Sequence, residues 1–194
     1  MTRGTVDARE LAVSEHELRA RLGPLSAEWE TELSVCREGV ISSAVGRYAA
    51  VRLPITENDG ASVTLGGHRI ESAALAKNLR GAESVFLLAV TLGAELDRYL
   101  LKLSRLSVAR HAIADGYASA LAEALCDKVA DILSEGLDTA PRFSPGYGDL
   151  PLSEQRWLLD SLDASRMLGI SLGESLLMSP MKSVSAIMGI KEAI

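Results

Sequence analysis

Three stretches in the last third of the chain decide how it is read: RFSPGY at 142–147, DLPLSEQRWLLDSLD at 149–163 and ESLLMSPMKSVS at 174–185. Pro145 fixes its own φ, and Gly146 admits a neighbouring chain or a ligand where a Cβ would collide, so the hexapeptide predicts a preshaped loop. The second stretch places Pro151 ahead of an apolar repeat, which predicts a helix over about 153–163. Beyond it, Val184, Ala186, Met188 and Ile190 alternate with Ser183, Ser185, Ile187 and Gly189, the period of an extended strand.

Upstream of the loop, Tyr117, Leu121, Leu125, Val129 and Leu133 fall every four residues, so the longest helix is predicted from near Ser107 to Leu133, with Gly136 as its stop. SVFLLAVTLG at 84–93 reads as a buried strand, between a short helix capped by Ser72 and ending around Gly81 and a helix from about Ala94 to Leu103. Earlier still, Val51, Leu53 and Ile55 alternate against Arg52 and Pro54. Asp59-Gly60 then offers a turn before Val63 and Leu65 resume the alternation, which predicts an antiparallel pair. TLGG at 64–67 has the look of a further hairpin turn. Ser14 with Glu17 forms a capping-box pattern for a short helix reaching Leu22. A second helix, from near Ser26, sets Trp29, Leu33, Cys36 and Val40 on one buried stripe. The predicted class is α+β, and with no repeat and no linker-like segment the 194 residues are read as one domain over 1–194.

Composition narrows the function classes. An apolar share of 47% with only 4% aromatic residues predicts a core of Leu, Val, Ile and Ala. The net charge of -6 repels a phosphate backbone, so nucleic acid is not an expected partner. No apolar run approaches the roughly 18 residues that cross a bilayer, and MTRGTVDARE lacks a signal peptide's apolar stretch. A soluble cytoplasmic protein without membrane association is therefore expected. Cys36 and Cys126 lie far apart inside helical patterns, which reads as two buried free thiols rather than a disulfide or a metal site. His16, His68 and His111 lack metal-ligand spacing, and no glycine-rich phosphate loop is present.

In order, spacing and residue types, the three quoted stretches resemble the reactivation domain of cobalamin-dependent methionine synthase, strongly over about 106–190 and faintly before it. The resemblance implies a curved domain with a twisted antiparallel sheet and helices grouped around it. It also implies an S-adenosylmethionine site built on an Arg, three intervening residues and a Gly-Tyr pair, here Arg142, Gly146 and Tyr147. A guanidinium presents a fork of donors suited to the ligand's carboxylate. The ring of Tyr147 suits the adenosyl part or the sulfonium charge, an attraction of about 0.5 to 2 kcal/mol. Backbone groups near Ser144 are candidates to read the adenine edge. LAEALCD at 121–127 resembles the family's helix with a Glu near the ligand's amino group, which makes Glu123 a candidate, although a solvated helix carboxylate is its simpler reading. Asp115, on the same helix, is a further carboxylate that can lie near the cleft.

Three departures stand beside the resemblance. Ser153 occupies the position of a family His and reads as a helix cap. The segment after Ser-Val-Ser is AIMGIKEAI rather than an aromatic hairpin, and residues 1–60 show no match to an acidic ligand contact. The axial His of a cobalamin module, in a DxHxxG context, is also missing, so cobalamin is expected only on a partner. The function implied is a stand-alone homologue that binds S-adenosylmethionine and supports reductive methylation of cob(II)alamin on a separate cobalamin-dependent methyltransferase. If active, it is the S-adenosylmethionine-dependent component of a methionine synthase. The alternative is a scaffolding or capping module for a corrinoid protein that has lost the ligand. Arg98, Lys102, Arg105 and Arg110 form either a solvated helix face, the simpler reading, or a surface steering an acidic partner such as a flavodoxin-like reductant.

Overall fold

The computed structural model describes residues 1–23 and 27–191. Its elements run β1 (Thr2–Val6), a 3-10 turn at Ala8–Glu10, α1 (Glu15–Leu22), α2 (Ala27–Ser43), β2 (Gly46–Asn58), β3 (Ser62–Leu65) and β4 (His68–Glu71). Then follow α3 (Ala73–Asn78), β5 (Ser84–Thr91), α4 (Ala94–Leu106), α5 (Val108–Leu133) and β6 (Asp138–Thr139). The last are α6 (Glu154–Ser161), α7 (Ala164–Leu168), β7 (Ser171–Leu172), β8 (Met178–Ser179) and β9 (Ser183–Lys191). The architecture is the expected α+β, with antiparallel strands in the order β4-β3-β2-β5-β9-β6 and β1 added to β2.

Alternation along the strands explains the layering. Tyr48 and Ala50 of β2, Leu88 and Val90 of β5, and Ala186 and Met188 of β9 point to one face, where α2, α4 and α5 cover them. Ala49, Val85, Leu87, Ala89 and Ile187 point to the other face, against α3, α6 and α7. A sheet covered on both faces needs apolar residues at successive positions, which is why β5 reads SVFLLAVT without a polar alternate. The thirteen-residue β2 holds the assembly together: its first half lies between β1 and β5, and from Ile55 onward it pairs with β3, with a register shift between Ile55 and Glu57. Gly46 is required where β1 crosses it, since a Cβ there would stand 2.6 Å from the Val6 carbonyl oxygen.

The predicted stripe of α5 is buried throughout, from Tyr117 to Leu133. At 26 residues this helix is about 39 Å long, long enough to wall the core along one face and line a cleft along another. The α2 stripe holds at Cys36 and Val40, but Trp29 is 40% exposed. The expected start of this helix at Ser26 lies outside the described residues. Ser14 makes no side-chain cap bond, and Glu17 pairs instead with Arg21, one turn along α1. Both cysteines are free and buried. No helix among the described residues is long and apolar enough to cross a membrane.

Candidate functional site

The loop after β6 is fastened to the sheet before it forms its turn. The Ala140 amide donates to the Gly189 carbonyl at 2.9 Å, and Phe143 exchanges two backbone hydrogen bonds of 2.8 Å with Ile187 of β9. An extended residue at position 143 sends its own side chain to one face of the sheet and its neighbours to the other. Phe143 packs into the cluster under α6 and α7, while Arg142 and Ser144 face α5. The chain then turns back: Tyr147 N–H donates to the Ser144 carbonyl at 3.1 Å and Gly146 N–H to the Leu150 carbonyl at 2.9 Å. Gly146 has φ +92°, a conformation that disfavours any side chain.

A second anchor holds the far end of the turn. The Asp149 carboxylate accepts from the Ser72 hydroxyl and from the amides of Ala73 at 2.9 Å and Ala74 at 3.1 Å. Ser72 in turn accepts from the Leu75 amide at 3.0 Å, so the predicted cap of α3 is formed and Asp149 extends it. These bonds, the Ser72 hydroxyl first, hold the Asp149 carboxyl below its ordinary value of 3.8. A depressed folded-state pKa contributes stability that is complete above that ordinary value and is lost as the pH falls through the folded one. Asp149→Asn is therefore expected to melt below the unmutated protein by a margin that is constant near neutrality and closes in strong acid. Thermal melts across pH check this, and a margin that persists at low pH would contradict it.

Four of the five expected site residues line one cleft of about 360 Å³: Glu123, Arg142, Ser144 and Tyr147, with Pro141 and Val184 completing its wall. Gly146 does not line it, and supplies the bend that brings Tyr147 round. Arg142 is hydrogen-bonded through Nη2 to Asp127 Oδ1, and the same nitrogen lies 3.7 Å from Glu123 Oε2. Burial disfavours the Arg142 charge, but Cys126, Asp127 and Glu123 outweigh it and keep the guanidinium protonated. Burial also pushes the Cys126 thiol up to about 12, with Arg142 opposing part of the shift. Tyr147 meets Phe143 edge to face, centroids 6.4 Å apart, and remains 60% exposed. Ser153, the expected cap of α6, makes no side-chain cap bond.

The acidic face of α5 continues beyond the cleft. Asp115, Ser119, Glu123 and Asp127 fall at four-residue intervals. Lys182, at the head of β9, reaches Asp115 at 2.7 Å and donates to Ser119 at 2.9 Å. Asp115 is thus committed to Lys182 rather than to Arg142. Lys182 and Asp127 join these residues only in the folded chain. The four-residue spacing from Glu123 is the signal that marks Asp127, whereas nothing local marks Lys182.

The histidines take other roles. His68 stacks on Trp157 with centroids 4.2 Å apart and contacts Glu154 at 2.7 Å. His111 donates to the Leu100 carbonyl at 3.1 Å, and His16 is exposed. Among the described residues no three metal-ligating side chains converge. In the basic stretch, Arg98 pairs with Glu95 and Arg110 with Glu32, which neutralises half of it.

Residues 75–193 match the family described as vitamin B12 dependent methionine synthase, activation domain. No curated protein matches the chain. Among solved structures, the crystal structure of the MetH reactivation domain bound to AdoHcy superposes with a TM-score of 0.67, covering 97% of this chain and 78% of that one at 14% identity. At that identity the likeness establishes the fold.

Proposed function

The chain belongs to the family of vitamin B12 dependent methionine synthase activation domains, and from that premise we propose that it binds S-adenosylmethionine in the cleft between α5 and the 141–147 loop. The observation that carries the reading is the convergence of Arg142, Glu123, Ser144 and Tyr147 on one cleft from two separate parts of the chain. Arg142 takes the ligand's carboxylate, Glu123 its ammonium group, and Tyr147 the adenosyl face, while Ser144 presents backbone groups to the adenine edge. Bound there, S-adenosylmethionine supplies a methyl group to a reduced corrinoid carried by a cobalamin-dependent methyltransferase partner. The residues of this chain need only hold and orient the donor, so no general base is asked of them. The reducing electron belongs to a separate reductant.

A second reading has its own support. Arg142 is engaged by the protein's own carboxylates and Tyr147 is largely exposed, and Ser153 stands where the family has a His. These features fit a scaffolding or capping module for a corrinoid protein. Titration calorimetry with S-adenosylmethionine separates the two. Saturable heat at a 1:1 ratio is expected, and its absence removes the donor-site reading while leaving the scaffold.

A further inference from the structure

We infer that Asp127 is an internal competitor for the cleft, its carboxylate holding the part of Arg142 that the carboxylate of an incoming α-amino-acid group must take. The inference rests on the ligand reading above and names the regulation of that same site. A guanidinium grips a carboxylate bidentately through one of two edges, Nε with Nη2 or Nη1 with Nη2, and both edges use Nη2. That atom carries two hydrogens. In the structure, Nη2 is hydrogen-bonded to Asp127 Oδ1, while Glu123 Oε2, 3.7 Å from the same nitrogen, is an ion-pair neighbour beyond hydrogen-bond reach. A ligand carboxylate that grips the edge Asp127 holds must displace it, and one that grips the other edge must share Nη2 with it.

The two acids are not equivalent. Glu123 lines the cleft with its side chain 35% exposed, whereas Asp127, one turn further along α5, is 68% exposed and is not part of the cleft wall. Asp127 is therefore the acid free to swing into water, and an exposed ion pair of this kind shifts an equilibrium by no more than about fivefold. Glu123 stays behind as the partner for the ligand's ammonium group. Filling the cleft becomes an exchange of one carboxylate for another at Arg142. The exchange raises the ligand concentration needed without blocking the site.

Calorimetric titration of S-adenosylmethionine into the unmutated protein, Asp127→Asn, Asp127→Ala and Glu123→Gln tests this, with melting temperatures measured without ligand. Asp127→Asn and Asp127→Ala are expected to bind about two- to fivefold tighter, and Glu123→Gln to bind more weakly, with melting temperatures close to that of the unmutated protein. Unchanged or weaker binding in both Asp127 variants overturns the competitor and leaves the ligand site standing. Tighter binding in Glu123→Gln, matching Asp127→Asn, overturns the distinct roles given to the two acids. No heat in any of the four removes the ligand site, and the competitor falls with it.

Discussion

Arg142→Ala is expected to weaken S-adenosylmethionine binding by at least about 25-fold, because losing the buried member of a hydrogen-bonded charge pair costs about 2 to 5 kcal/mol. The side chain is largely enclosed, and the ligand's carboxylate would instead meet Glu123 and Asp127 with no cation between them. The fold should survive the change. The loop is held by backbone bonds from Phe143 to Ile187 and by Asp149, neither of which uses the guanidinium. The two acids left facing each other on α5 repel by only a few tenths of a kcal/mol at an exposed helix surface. Calorimetry together with a thermal melt checks both halves. Binding retained within threefold would remove Arg142 from the ligand site.

Leu121→Ala is expected to have the larger effect on stability, about 2 to 5 kcal/mol, from the lost transfer energy and the cavity left behind. Leu121 is fully buried in the cluster between α5 and the sheet, among Leu88, Val90, Ala118 and Leu125. A fall in melting temperature on the order of 10 °C corresponds to a change of that size in a chain of this length. Glu123 and Asp127 leave the same helix on its other side, so ligand affinity should change far less than stability. Denaturation midpoints set beside titrations report the two separately. An affinity loss matching the stability loss would mean that the cleft wall and the core are not independent.

How far these features can be read from sequence follows from how local their causes are. The stripe of α5 needs only its four-residue spacing, and the cap at Ser72 needs only a hydroxyl before a short helix, so both are legible and both form. β1 is not legible. Thr2–Val6 is short and polar, and it becomes a strand only because Gly46–Ala50 offers it an edge nearly fifty residues later. Alternation in β9 was readable, but not that both of its faces are buried, since that depends on helices from distant parts of the chain. In the cleft, the resemblance of RFSPGY and LAEALCD to family segments marks Arg142, Ser144, Tyr147 and Glu123, which the fold brings together. It carries no sign that Asp127 already holds the guanidinium, because that contact spans a helix and a loop whose relative placement only the packed sheet determines.

The carboxylate of Asp149 gives the cleft a remote reporter. It binds the first amides of α3, at Ala73 and Ala74, while its own backbone belongs to the turn that carries Tyr147. Any event that tightens that turn must slow deuterium uptake at those two amides, and any event that loosens it must speed uptake. Occupancy of the cleft can therefore be followed from a helix end outside it, with no probe placed where a nucleoside would sit.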